Sequence, residues 1–401
     1  MTGTDAGAGG ALRGVKVLDL SRFIAGPLCA QILGDMGADV VKIERPGGED
    51  ARFQGPFLGG ESLYAMAYNR NKSSATLDPR NAEARAVLGD LIRWADILVE
   101  NYRPGTLEAM GFGWERIHES NPGLILTSMS GFGQTGPLAT RPLFDPIAQA
   151  ASGLMSLTGD PDGPPTLVGA YVADHVAALY GAIGTLVALI ARASSGVGQR
   201  VDVASLDAVV SVLGTRATAA LMLGEQPARR GPRDPYSAPA TVFPAADGSV
   251  YIHGGTDAHF PRLCRAIARD DLAADPAHRT VAGRLDHVDA LEAEVAAWTS
   301  LRTRAEIEVV LAGAGVPCSR VASIEDVVAS PQLHAREMFV EVAHAVLGSV
   351  VLTGTPVKLD GTPATIRKAP PMAGEDTERV YRDVLGLDPA RIQALREAGA
   401  I

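Results

Sequence analysis

The stretch LVGAYVADHVAALYGAIGTLVALIARASSG begins at Leu167 and holds one acidic residue, Asp174, ahead of about twenty mostly apolar or small residues. Two chemistries suit an aspartate there. As a helix N-cap, its carboxylate accepts bonds from backbone N–H groups that lack a partner within the helix. As a nucleophile, it gains from the same place, because the helix dipole favours the ionised form. Other candidates are basic or amide residues beside strand-like runs: Arg45 in KIERPGG, Asn71 and Lys72 in NRNKSS, Asn101 and Arg103 in ENYRPG. In an open α/β sheet, ligands bind beyond the carboxyl ends of the strands. Cations gathered there suit phosphates, and Arg offers bidentate geometry. The three clusters together point to one anionic site.

Much familiar chemistry is missing. There are eight His, none in an HExxH pair, and neither GxSxG nor GxxxxGK[ST] occurs. The turn SRFIAGPLCA after the first strand lacks GxGxxG, so a dinucleotide reading is weak although Glu44 ends the second strand. Cys29, Cys264 and Cys318 are odd in number and far apart, which suits a reducing cytoplasm and neither disulfides nor a metal centre. A net charge of −10 argues against nucleic acid or an anionic membrane as partner. The apolar run Val176–Ala193 approaches the length of a membrane span. Tyr180, Gly181, Gly184 and Thr185 interrupt it, and it reads as a buried core helix.

The elements that must position these residues alternate. Val15–Leu20 reads as a strand, Gly26–Met36 as a helix with Pro27 near its start, and Asp39–Ile43 as a strand. That βαβ unit implies a parallel sheet. A helix at 83–93, strands at 95–101 and in GLILTSMSGFG, the long helix after Asp174 and a strand entering a helix in QRVDVASLDAVVSVLG continue the pattern. Residues 1–12, Gly/Ala-rich, read as disordered. Residues 13–225 form the first part of a large α/β domain. Residues 226–330 form a Pro/Arg-rich linker and a small α+β domain. Residues 331–401 return to the large domain and end in a helix at 376–386.

KVLDLSRFIAGPLCAQILGDMGADVVKIERP, NRNKSSATLD, ADILVENYRPGTLEAMGFGWERI, GFGQTGPLATRPLFDPIAQAASGLM and VADHVAALYGAIG occur in order. Together they resemble the class III CoA-transferases of the CaiB/BaiF type, from about Gly14 to Ile401. The resemblance implies a Rossmann-like large domain built from both chain ends, an inserted small domain, and an interlocked homodimer. It makes Asp174 the catalytic residue. It places Phe23, Ile24, Ala25, Arg45, Asn71, Lys72, Asn101, Tyr102, Arg103 and Met110 around coenzyme A. It gives Phe144, Gln149, Gly254 and Gly255 to the substrate or to a lid, with HGGTD as that lid. Ile24 replaces a polar residue common in formyl-CoA transferases, which speaks against a formyl or oxalyl substrate.

Racemases of the same fold carry a His–Asp pair in a GHDINY-like motif. PLFDPIAQ puts Phe144 at the His position, and Phe cannot move a proton. Transferase is therefore favoured, with 2-methylacyl-CoA racemase as the alternative. The implied reaction moves CoA from an acyl-CoA to a carboxylic acid through an aspartyl-CoA thioester, with no metal and no permanently bound cofactor.

Overall fold

The computed structural model describes residues 10–401, so most of the expected disordered segment, residues 1–9, lies outside the described residues. Residues 10–12 are held: the Leu12 N–H donates to the Met36 carbonyl at 2.9 Å. The described chain forms two compact units. One contains residues up to 154, 168–224 and 331–401, and the other contains 155–167 and 225–330.

The first unit is built on six strands: β1 (Lys16–Asp19), β2 (Asp39–Glu44), β3 (Lys72–Thr76), β4 (Ile97–Glu100), β5 (Ile125–Ser130) and β6 (Arg200–Ala204). Their spatial order is β3-β2-β1-β4-β5-β6, and every pairing is parallel. This is the doubly wound order, with the reversal between β1 and β4 that leaves a ligand crevice beyond the strand ends. The strands are short, and central β1, β2 and β4 are rich in Val, Leu and Ile because helices cover both faces. One face packs α1 (Ala25–Asp35) and the long helix, with Cys29, Leu33, Ala177, Ala178 and Ala182 buried. The other packs Leu88, Leu91 and Ile92 against Tyr381, Ile392 and Leu395 of the chain's tail. The tail is tied to the sheet, since the Tyr381 hydroxyl donates to the Thr76 carbonyl at 2.6 Å. It ends in two helices, Thr377–Leu385 and Pro389–Glu397. The second goes beyond the sequence expectation of one, and its signal was local: Asp388 caps it and Pro389 opens it.

Asp174 sits between α2 (Asp145–Ala151) and the body of α3 (Val172–Ser195). α3 is not the fully buried helix the sequence suggested. Ala173, Ala177, Ala178, Gly181, Ala182, Thr185 and Ala188 face the core, while Leu179, Ile183, Val187 and Ile190 are 51–72% exposed. The small residues let α3 lie close to the sheet. A Cβ on Gly181 would stand 2.8 Å from the Met129 sulfur.

The second unit has an antiparallel sheet with Gly248–His253 between Ala240–Ala245 and Cys318–Arg320. Phe243, Val250, Ile252, Leu263, Ile307 and Leu311 form its core.

Candidate active site

The turn after β1 is built under constraint. Phe23 has φ 64°, a left-handed conformation that a bulky residue adopts only when its surroundings impose it. Three groups do so. Asn101 accepts from the Arg22 N–H at 2.8 Å and donates back to the Arg22 carbonyl at 2.7 Å. Glu49 accepts from the Phe23 N–H at 2.9 Å. Buried Lys42 bonds the Ser21 carbonyl at 2.8 Å and pairs with Glu49 at 2.9 Å. The turn is so tight that a Cβ on Gly26 would lie 2.1 Å from the Ser21 Cβ. On β4, Glu100 folds the next turn by accepting from the Tyr102 N–H at 2.7 Å.

Two cavities open beyond these strand ends. The first, about 320 Å³, is lined by Arg22, Arg45, Arg80, Tyr102 and Met110 among others. The second, about 220 Å³, is lined by Phe23, Ile24, Ala25, Asn101, Arg103 and Phe144, with Asp174 and Arg141 in its wall. Arg22 and Tyr102 border both, with the guanidinium 5.5 Å from the ring centre. The cavities therefore meet at a cation–aromatic contact. Phe144 is 63% exposed and packs edge-on against Phe23 at 5.8 Å.

Asp174 lies in the first turn of α3, and the structure overturns two expectations about it. It does not cap the helix. Asp145 does, accepting from the Ala173 N–H at 2.6 Å and the Asp174 N–H at 3.3 Å. Nor does the helix end hold Asp174 strongly ionised. Burial pushes its carboxyl up to about 7, and the Asp145 carboxylate adds to the rise. With the end N–H groups taken by Asp145, the dipole's benefit falls there. Gln149, wholly buried, completes the brace. It donates to Asp145 at 2.7 Å and accepts from the Val168 N–H at 3.0 Å.

Several expected ligand residues turn inward instead. Lys72 begins β3, at the opposite end from the crevice, and its side chain is buried completely. Its ammonium donates to Asp19, the Pro27 carbonyl and Asn69 at 2.8, 2.8 and 2.9 Å. Asn71 donates to Asp35 and to the Thr365 carbonyl, both at 2.8 Å, and accepts from Arg367 and Lys368 N–H groups. Both are corrected from coenzyme contacts to structural ties, because each donor is already satisfied away from solvent. Glu44 is likewise engaged, by Arg52 through two bonds of 2.6 Å. Gly254 and Gly255 belong to the second unit. A Cβ on Gly255 would meet the Ala238 nitrogen at 2.3 Å, and buried Arg284 bonds the Gly255 carbonyl and Asp257.

Other residues near Asp174 escaped the sequence reading. Tyr64 and Tyr68 are an i, i+4 pair in SLYAMAYNR. Their rings are 5.9 Å apart, and Tyr64 also meets Tyr171 at 6.1 Å. Burial and then the charge of Asp174 raise both phenols, Tyr68 to about 12. His175 packs on Tyr68 at 5.7 Å and bonds the Tyr171 carbonyl at 2.7 Å. The i, i+4 spacing was the available signal.

The sequence profile of CoA-transferase family III matches residues 12–377. The chain belongs to CoA-transferase family III. Among its relatives is the succinyl-CoA–D-citramalate CoA-transferase of Chloroflexus aurantiacus, 37% identical over 95% of this chain and 96% of that one. The succinyl-CoA:mesaconate CoA-transferase of Haloarcula marismortui is 39% identical, covering 94% and 97%. A solved CaiB/BaiF family protein from Brucella suis superposes with TM-score 0.84 at 34% identity, covering 94% of this chain and all of that one. This family III member is thus an enzyme of the CoA-transferase class that uses CoA thioesters as substrates.

Proposed function

We propose that Asp174 carries CoA between an acyl-CoA donor and an acceptor carboxylic acid. An Asp174 oxygen attacks the donor's thioester carbonyl, the C–S bond breaks, and CoA thiolate leaves with the electron pair. The thiolate then attacks the Asp174 carbonyl of the mixed anhydride and expels the donor acid as a carboxylate. The acceptor carboxylate attacks the resulting aspartyl-CoA thioester and releases thiolate again. Thiolate attack on the acceptor's carbonyl frees Asp174 and yields the new acyl-CoA. Charge and atoms balance at each step, and no proton transfer is required.

The observation that carries this reading is the position of Asp174. Its carboxylate stands in the wall of the cavity behind the Phe23–Ala25 turn, while another residue takes the capping role. The first cavity, with Arg22, Arg45, Arg80 and the Tyr102 face, suits the phosphates and base of CoA. The second suits the pantetheine arm and acyl group, with Arg103 and Arg141 beside them. Apolar Phe23, Ile24 and Phe144 keep water from the anhydride. The relatives' names specify succinyl-CoA with citramalate or mesaconate, so four- and five-carbon dicarboxylates are the first acids to try.

The same reading includes a cytoplasmic homodimer. Three unpaired cysteines suit a reducing compartment. The exposed apolar stripe on α3 suits a second copy of the chain, and light scattering on the pure protein tests it.

The test of function is trapping. Enzyme incubated with succinyl-CoA and then treated with borohydride is expected to show a mass change on the Asp174 peptide. A change on another residue, or full turnover by Asp174→Ala, overturns the assignment.

A further inference from the structure

Asp145 has no place in the reaction steps above, yet it is 3% exposed and bonded to the backbone of the residue that does the chemistry. Its Oδ1 accepts from the N–H groups of Ala173 and Asp174. Its Oδ2 accepts from Gln149 at 2.7 Å, and Gln149 in turn holds Val168 and Ala170. The irregular segment that enters α3 is therefore pinned to α2 by one carboxylate and one amide.

We propose that Asp145 is the positioning residue of this enzyme: it withholds the helix N–H groups from Asp174 and sets a fixed negative charge beside it, making the nucleophile a stronger base. This rests on the assignment of Asp174 as nucleophile. A helix N-terminus normally bonds and stabilises a carboxylate in its first turn, which makes that carboxylate a weaker base. Here the end is occupied by a second carboxylate. A like charge at close range disfavours ionisation of its neighbour, and the raised value of Asp174 agrees with that placement.

Other charged and titratable groups bear on the same carboxyl. Tyr64 and Tyr68 face it from the segment before β3. Tyr171, just before α3, and His175, in its first turn, flank it. Arg22, Arg103 and Arg141 line the same cavity as Asp174. The Asp145 charge is the partner that raises Asp174 beyond the effect of burial.

The basicity has a chemical consequence. In the mixed anhydride, thiolate attack on the Asp174 carbonyl expels the donor acid. Attack on the donor carbonyl expels Asp174 and returns the starting thioester. The less basic carboxylate leaves more readily. A more basic Asp174 therefore steers the anhydride forward, to the aspartyl-CoA thioester.

The experiment is single-turnover formation of the CoA adduct on Asp174, with succinyl-CoA as probe. Intact-protein mass is followed from pH 5 to 9 in the parent and in Asp145→Asn. Asn keeps an oxygen to cap Ala173 and removes the charge. Its acid limb is expected about one pH unit lower than the parent's. Above that limb the adduct should form several-fold more slowly, and a smaller share of bound succinyl-CoA should reach it. Because Asn also presents an NH₂ to Gln149, the pair Asp145→Asn with Gln149→Glu is measured beside it. That pair restores an acceptor opposite a donor and one negative charge, and its limb should return toward the parent's. A folded Asp145→Asn with an unmoved limb overturns the proposal, as does a double variant that folds but fails to return the limb. A parent that forms no adduct on Asp174 instead overturns the nucleophile assignment itself.

Discussion

Lys72→Met separates two readings of one lysine. By family resemblance Lys72 binds coenzyme A. By structure it is a buried tie. Its ammonium makes three bonds of 2.8–2.9 Å and pairs with wholly buried Asp19. Removing it leaves the Asp19 carboxylate with Lys42 at 3.9 Å and with the Ser21 backbone and hydroxyl. The Pro27 carbonyl and Asn69 each lose a donor. Breaking a buried pair from one side costs about 3–5 kcal/mol. Methionine packs where the lysine stem lay, so little of that cost comes from a cavity. At about 2 °C per kcal/mol for a large chain, the thermal midpoint should fall by roughly 6–10 °C. The assay is thermal unfolding followed by circular dichroism, with CoA affinity measured by calorimetry well below the midpoint. The folded variant should bind CoA within about threefold of the parent, since the cation never faces the cavity. A midpoint within 2 °C of the parent's together with a tenfold or greater loss of CoA affinity would refute the structural account.

Further outcomes follow from the same site. The kcat/KM for the donor acyl-CoA should rise about tenfold per unit up to a pH near 7 and then level, because in the proposed mechanism only the ionised form of Asp174, whose carboxyl is pushed up to about 7, attacks; a flat profile from pH 5 to 8 speaks against it. The folded value of Asp174 lies above its ordinary 3.8, so its protonated form favours folding, and that stability is full below 3.8 and lost as pH rises through 7. Asp174→Asn should therefore be inactive yet more stable than the parent by about 1–2 kcal/mol at pH 8, a gain that shrinks toward pH 4 in urea titrations. Asn101→Ala unclasps the Arg22 backbone, and a several-fold rise in KM for acyl-CoA with a smaller change in kcat is expected. Gly26→Ala drives a methyl into Ser21 and should cost about 1–3 kcal/mol in unfolding free energy, with reduced activity.

The order of strands and helices in the large unit was legible because each carries a local signature. GVKVLDLS and ADVVKIE are rich in Val, Leu and Ile, as doubly covered parallel strands tend to be. Pro27 marks the start of α1 as the chain's geometry requires. The edge strand Lys72–Thr76 was harder to see, since KSSAT is polar and its partners lie on the neighbouring β2. The second unit's use of residues 155–167 was hidden too, because such a short loop has no periodicity.

The sequence by itself determined the family, the parallel α/β architecture and the placement of one aspartate at the head of a long helix, because motif order and local periodicity survive in one dimension. Only the tertiary structure decided which carboxylate caps that helix and which basic residues face the crevice. Asp145 lies 28 and 29 positions from the N–H groups it caps. Lys72 meets partners 53, 45 and 3 positions away. A charged side chain's role depends on whether its partner is protein or ligand, and that depends on distances the fold alone creates.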